Sequence, residues 1–421
     1  KNINEDSWQF KSPLNVNADG VLVAKTLQAL TMTEVEKFLP LEIVDSDMLG
    51  FENPYMKISL QGNKRRNSLI LGNTLNDPNN SKSYYAKLEG NSTVFIVKGN
   101  QYNQFIQAHK DLREKNFIKL NTKSISTIDV SDLENFTKLQ KLENNEWQAL
   151  SLNENTPTKP FQADSGVIDN LVNDLNTLRA VGFFSDNPTE EDLDTLNFNQ
   201  PLLQILIFNN EENILTLNAV QHPNEKTLLL AKTENSPTIY TVDKASYLKN
   251  FSAQPLFYKN RIIEKLPEVA RILELQIKDI SNDTLLHEYS SEKTVSETSL
   301  QLLESLKEFK VARYIDTVSL AKNDSNSLIE WKYKLSFKIA LPGDIEDKLE
   351  ERIYYFNERS SGSSQLGKTA NQDLLFELSP NLIQVLHPFI HSFELTPESM
   401  NLEVADPSSV EKLPDIQLPK Q

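Results

Sequence analysis

The segment Gly362-Ser363-Ser364-Gln365-Leu366-Gly367-Lys368-Thr369 has the spacing G-x-x-x-x-G-K-[ST]. In that pattern backbone N–H groups cradle a phosphate, the lysine reaches it and the hydroxyl holds Mg²⁺. The chemistry needs an apolar strand directly before the first glycine and a helix starting at the lysine, whose N-terminus faces the anion. Here the strand-like run 352–356 is separated from Gly362 by residues 357–361, and residues 373–378 read as another strand. Gly362, Gly367, Lys368 and Thr369 are therefore read as part of a Ser-rich hairpin, a decoy for nucleotide binding. His387 and His391 are four apart, a spacing that puts both on one helical face as zinc ligation requires. Pro388 stands between them and no Glu follows His387, so a packed helix end is expected. His109, His222 and His287 stand alone on polar stretches.

Glu190-Glu191-Asp192, Glu211-Glu212 and Glu350-Glu351 offer carboxylates, but general acid–base work needs burial that drives two pKa values apart. Adjacent acids in turn-like context are solvated. Asp77-Pro78-Asn79-Asn80 lacks the ligand spacing of a calcium loop, and no G-x-S-x-G elbow occurs. Cysteine is absent, which excludes disulfides, thiolate zinc and thiol catalysis. No catalytic residue, cofactor or metal is expected from these patterns.

The 421 residues carry 59 acidic and 43 basic side chains, a formal net charge of −16. The densest basic cluster is Lys64-Arg65-Arg66. Nucleic acid is not expected as a partner, because too few clustered cations are present to displace condensed counterions. Apolar runs fall short of the roughly 18 residues that a membrane span needs.

The order of residues recurs. Trp8-Gln9-Phe10, Pro13, Ala18-Asp19-Gly20, a helical stretch and Leu49-Gly50-Phe51-Glu52-Asn53-Pro54 come first. Trp147-Gln148-Ala149, Pro157 and Pro160, Ala163-Asp164-Ser165-Gly166, a second helical stretch and Leu196-Asn197-Phe198-Asn199-Gln200-Pro201 follow. A recurrence of 139 positions from Trp8 to Trp147 implies duplicated domains rather than a short solenoid unit. Asp19, Asp164 or Ser165, and Ser296 read as N-caps. Behind them lie the apolar stripes Val23, Leu27, Leu30; Ile168, Leu171, Val172, Leu175, Leu178; and Leu302, Leu303, Leu306, Phe309. Consecutive β-like runs with short polar turns follow each helix, which predicts antiparallel meanders. Shorter closing helices are predicted over 101–114, 244–251 and 380–389.

The fold class is α+β, in tandem repeated units, each a curled and mainly antiparallel sheet with a helix on one face. The expected domains are 1–130, N-terminally truncated, 131–280, a degenerate third unit over 281–395, and a disordered tail over 396–421. The first unit reads as truncated because two strand-like runs, 124–130 and 136–142, precede Trp147 while only seven residues precede Trp8.

Trp8, Ala18-Asp19, the Leu49-Gly50-Phe51 turn, Leu71-Gly72, Tyr84-Tyr85 and Asp111-Leu112-Arg113-Glu114-Lys115 together resemble one family. It is the bacterial domain-of-unknown-function family numbered four-three-four-zero, found as tandem copies. The resemblance covers 8–130, extends over 131–280 with Pro255-Leu256-Phe257-Tyr258-Lys259 replacing the Asp-Leu-Arg stretch, and reaches 281–395 in outline. It implies a periplasmic-side protein, membrane-anchored by a helix upstream of Lys1, that serves as an accessory beside gliding-motility-type ABC transporter components. It carries over no catalytic residues.

The expected function is a non-enzymatic extracytoplasmic scaffold that binds protein partners in such an assembly. A solute-binding module for peptide or glycan at an inter-repeat cleft is the alternative. A P-loop hydrolase built on Lys368 and Thr369 is the third.

Overall fold

The computed structural model describes residues 2–390 except 5–6, 13, 41–45, 63–64, 77–81, 100–101, 154–155, 158, 316–328, 344–346, 360–363 and 371–373. The expected tail over 396–421, Gly362, His391 and the 77–80 stretch lie outside the described residues. Contacts divide the chain into two compact units: Lys1–Phe161 with Ser165–Pro255, and Gln162–Asp164 with Leu256–Gln421.

In the first unit, β1 (Asn2–Asn4), β2 (Ser7–Gln9) and β3 (Asn17–Ala18) form a small sheet. The Asp19 carboxylate accepts the backbone N–H groups of Val21 and Leu22 at 3.0 and 3.1 Å. These donors have no partner inside the helix, so the cap sets the start of α1 (Gly20–Thr31). Then come β4 (Val35–Leu39), α2 (Ser46–Leu49), β5 (Met56–Gly62), β6 (Arg65–Asn76), β7 (Lys82–Leu88) and β8 (Val94–Lys98). Their sheet runs β4-β8-β7-β6-β5 with antiparallel neighbours throughout. Its core gathers Leu71, Tyr84, Ala86, Phe95, Val97 and Tyr102. Of α1, only Thr26 is fully buried; Val23, Leu27 and Leu30 are half-covered.

The helix predicted over 101–114 is instead two short ones, α3 (Asn103–Ile106) and α4 (Ala108–Asp111). Gln107, at φ −119° and ψ 33°, leaves the helical basin and breaks the run. Leu112 to Glu114 then return to the start of α1. The Leu112 carbonyl accepts Asp19 N–H at 2.8 Å, and Arg113 bridges Ala18.

β9 (Thr127–Asp132), β10 (Phe136–Lys141) and β11 (Trp147–Asn153) follow as a meander, with the short β12 (Thr156–Pro157) and β13 (Phe161–Gln162). The helix α5 (Ser165–Thr177) buries Ile168, Leu171, Val172 and Leu175, the predicted stripe; Leu178 lies one residue past its end. β14 (Gly182–Ser185), α6 (Glu190–Thr195), β15 (Leu203–Asn209), β16 (Glu212–Gln221), β17 (Leu228–Thr233), β18 (Ile239–Asp243) and α7 (Lys244–Asn250) complete the set. The strand order is β14-β18-β17-β16-β15, and the sheet continues through β9-β10-β11-β12.

The second unit contains β19 (Ile262–Lys265), β20 (Arg271–Asp279), β21 (Thr284–Ser290), α8 (Glu297–Lys307), β22 (Glu308–Ile315), β23 (Trp331–Leu341), β24 (Lys348–Asn357), β25 (Leu366–Thr369), β26 (Leu375–Leu378) and α9 (Pro380–Ile390). Its sheet runs β19-β22-β26-β25-β24-β23-β20-β21. Ser296 caps α8 through the Ser299 N–H at 3.2 Å. Phe309, expected on that helix, is fully buried from strand β22, because Glu308 already leaves helical geometry.

Three five-strand paths therefore share one order: β4-β8-β7-β6-β5, β14-β18-β17-β16-β15 and β22-β26-β25-β24-β23. The fold is α+β with antiparallel sheets. Trp147 is buried on β11, whereas Trp8 on β2 is half-covered.

Candidate functional site

The family-like turn residues come together at α2 and β6. Gly50 has φ +69°, a left-handed conformation costly for a residue with a Cβ. Asn197, at the matching place after α6, has φ +62°, and Asn tolerates that region better than other side chains. A Cβ on Gly72 would lie 1.9 Å from the Leu49 carbonyl oxygen, so only glycine lets α2 approach the strand. These positions hold the backbone and carry no chemistry.

Arg113 is different in kind. It is a charged side chain only 3% exposed. Its guanidinium donates to Asp186 Oδ1 at 2.5 Å and to Thr238 Oγ1 at 2.7 Å, and its carbon lies 3.9 Å from the Phe183 ring centroid. A planar fork that stacks on a ring while bonding two oxygens is a task for arginine and not for lysine. Beside it opens a groove of about 380 Å³, within the first unit, whose walls include Asn17, Asn116, Phe117, Asn235 and Tyr240. Phe117 and Tyr240 stack at 4.1 Å, and the Tyr240 hydroxyl lies 3.1 Å from Ser236 Oγ. The volume falls in the range of small-ligand clefts, roughly 300–1,000 Å³.

In the second unit Tyr258 and Lys259 occupy the corresponding places. The Tyr258 carbonyl accepts Asp164 N–H at 2.8 Å, Lys259 bridges Ala163, and the Lys259 ammonium sits 5.6 Å from the Tyr314 ring centroid. Burial lowers the Lys259 ammonium from the ordinary lysine value.

A second polar cluster borders a cavity of about 230 Å³ in that unit. Arg352 donates from Nε to Glu264 Oε1 at 2.5 Å and from Nη2 to Glu350 Oε2 at 2.8 Å. The Tyr354 hydroxyl donates to Glu264 Oε2 at 3.0 Å. Burial, and then the Glu264 charge, push the Tyr354 phenol far above its usual value. Lys348 and Arg352 hold Glu350 below the ordinary carboxylate range. Both Glu264 oxygens are thus engaged by firm donors, which makes the group an anchor between strands rather than a proton acceptor poised for substrate.

Gly367, Lys368 and Thr369 lie on strand β25, paired with Phe356, Tyr355 and Tyr354 of β24. The Lys368 ammonium sits 5.0 Å from the Trp331 ring and 5.4 Å from the Tyr355 ring. A helix beginning at the lysine, which phosphate binding needs, is replaced here by sheet. His387 lies on α9, while His391 is outside the described residues. Among the described residues no group of three His, Asp or Glu gathers as a metal site. Asp192 closes a capping box with Thr189, whose hydrogen bonds lower its carboxyl below the ordinary range.

Asp186, Thr238, Glu264 and Arg352 escaped sequence reasoning. Each meets its partner across 52 to 125 positions, and no local pattern marks such pairs. Arg113 stood inside the 111–115 motif stretch, where nothing in the sequence gave it a role.

Residues 8–201 match the family described as Domain of unknown function (DUF4340). No curated protein matches the chain. Among the described residues no helix is long and apolar enough to cross a membrane.

Proposed function

We propose, from the match of residues 8–201 to the DUF4340 family, that the chain is a non-catalytic scaffold built of three copies of one α+β module. It works on the outer side of the cytoplasmic membrane and engages protein components of a transport assembly of ABC-transporter or gliding-motility type. One observation carries the reading: the strand order repeats three times, each time behind a helix. Two of the three sheets extend into further strands, whereas β4 and β5 are both outermost in theirs among the described residues. Free sheet edges are surfaces that other proteins can extend by strand pairing. The polar clusters at Arg113 and at Glu264 support the same reading, since within each cluster the charges are satisfied by its own members.

The test is purification of the full protein from native membranes in mild detergent, with protease accessibility measured from the outer face. The reading expects an integral transport component to co-purify and the protein to be cleaved from outside. A protein found only in the cytosol fraction, with no membrane component bound, would overturn it.

The Arg113 groove favours a second reading, a solute site for peptide or glycan between the 15–17 and 113–119 segments and the turn that leads into β18. Its amides and stacked rings suit such a ligand. That reading expects a raised Tm with an added oligosaccharide or peptide, abolished by Asn116→Ala.

A further inference from the structure

Resting on that scaffold reading, the chain supplies its own template for what covers an open sheet edge. The outer edge of β15 is taken by β9, antiparallel, with Ile205 opposite Val130 and Ile207 opposite Ile128. The outer edge of β23 is taken by β20, antiparallel, with Phe337 opposite Leu275 and Leu335 opposite Ile277. All eight side chains are at most 1% exposed. The equivalent strand of the first path is β5, and among the described residues it pairs with β6 alone.

Its alternation is the same. Met56, Ile58 and Leu60 face the helix side, between Lys57, Ser59 and Gln61. Leu60 is nevertheless 41% exposed. An apolar cavity of about 240 Å³ opens there, walled by Leu30, Val35, Ile58, Leu60, Leu69 and Phe95. Charge adds direction. The end of β5 leads into Arg65 and Arg66, both exposed, within a chain of net charge −16.

We propose that β5 is a docking edge for an extended segment of a partner protein, added antiparallel, with aliphatic residues at alternate positions and acidic residues at its start. An antiparallel strand begins opposite the end of β5, so its first residues lie one strand across from Arg65 and Arg66 of β6, within the field of their charges. Its aliphatic side chains then fill the space beside Leu60 and Ile58, as β9 and β20 do in the other two paths. A second copy of the chain fits this edge poorly. Symmetric β5 pairing would set the arginines of one copy against Lys57 of the other, between two bodies of like net charge.

The experiment is amide hydrogen exchange on the full chain with a synthetic peptide that copies residues 126–132, preceded by two aspartates. Saturating peptide is expected to slow exchange over residues 56–62 by about tenfold, the size expected when a weakly protected edge gains strand hydrogen bonds. The effect should shrink with two lysines in place of the aspartates. It should vanish when alternate peptide nitrogens on the pairing edge are methylated, and in Leu60→Asp, an exposed position that leaves the fold intact. Unchanged exchange over 56–62, or slowing indifferent to methylation, would overturn the proposal. Slowing that grows with protein concentration in the absence of peptide would overturn it in favour of self-pairing. If this test fails while a transport component still co-purifies, the edge is wrong and the scaffold stands. The reverse pair of results leaves a strand-binding edge and removes the transport role.

Discussion

The Arg113 guanidinium lies 2.5 Å from Asp186 Oδ1, across 73 positions of sequence. The pair ties the end of the first closing helix to the strand after α5. Because Arg113 is buried and Asp186 is partly solvated, the arginine bears most of the cost of separation.

Arg113→Met should therefore destabilise the first unit by about 2–3 kcal/mol, less than the loss of a fully buried pair because water reaches Asp186. Arg113→Lys should recover less than half, since one ammonium cannot serve Asp186, Thr238 and the Phe183 face together. Urea unfolding of the full chain, followed by tryptophan fluorescence, measures both.

Asp129 shows the opposite balance. Its Oδ1 is buried without a hydrogen-bond partner among the described residues, and Lys138 stands 3.7 Å from Oδ2. Burial raises its carboxyl pKa above the ordinary value, despite Lys138. The folded state then binds this proton more readily than the unfolded chain, so the group weakens stability as pH rises through its folded value. Asp129→Asn should stabilise the protein at pH 7 by about 1 kcal/mol and remove that slope. A stability profile between pH 4 and about 7 decides it.

His287 gives a pH effect of the other sign. Burial beside Phe389, 4.2 Å away between ring centroids, lowers its imidazole pKa, and Ser299 Oγ lies 3.1 Å from Nε2. The unfolded chain takes up this proton first. Stability of the second unit should be full above about pH 6.5 and fall as pH drops below that value toward the lowered folded pKa. His287→Gln should flatten the profile in that window, read as Tm against pH.

Gly367 is closed in by rings. A Cβ there would lie 2.4 Å from Phe376 Cε2 and 2.9 Å from Phe356 Cδ1. Gly367→Ala should cost about 1–3 kcal/mol by overpacking, while Lys368→Ala, which loses only ring contacts of an ammonium, should cost less than 1 kcal/mol, roughly. The pair of Tm values separates a strand in a packed sheet from a phosphate loop.

What could be read from the sequence was local. Asp19 and Ser296 cap helices because a carboxylate or hydroxyl one residue ahead of an apolar stripe has little else to do. The α5 stripe was legible because its four buried residues follow the helical period. Phe309 was misplaced because a stripe one turn longer than its helix looks continuous. The α3–α4 break was invisible, since Gln107 carries no helix-breaking side chain. The Arg113–Asp186–Thr238 and Glu264–Arg352–Tyr354 clusters depend on which strands become neighbours, and that follows from sheet order rather than spacing. The recurring residue order gave no sign that β9 and β20 would complete the sheets of β15 and β23.

The claim that β5 is the scaffold's docking edge is tested most directly by a photo-crosslinking residue placed at Gln61, on the exposed end of β5, in the full protein in its native membranes. The same group at Val269, 65% exposed in the second unit, is the comparison. The account predicts an adduct from Gln61 alone, with a membrane transport component, mapped to an extended segment with alternating aliphatic residues. No adduct from Gln61, or the same adducts from Val269, would contradict it.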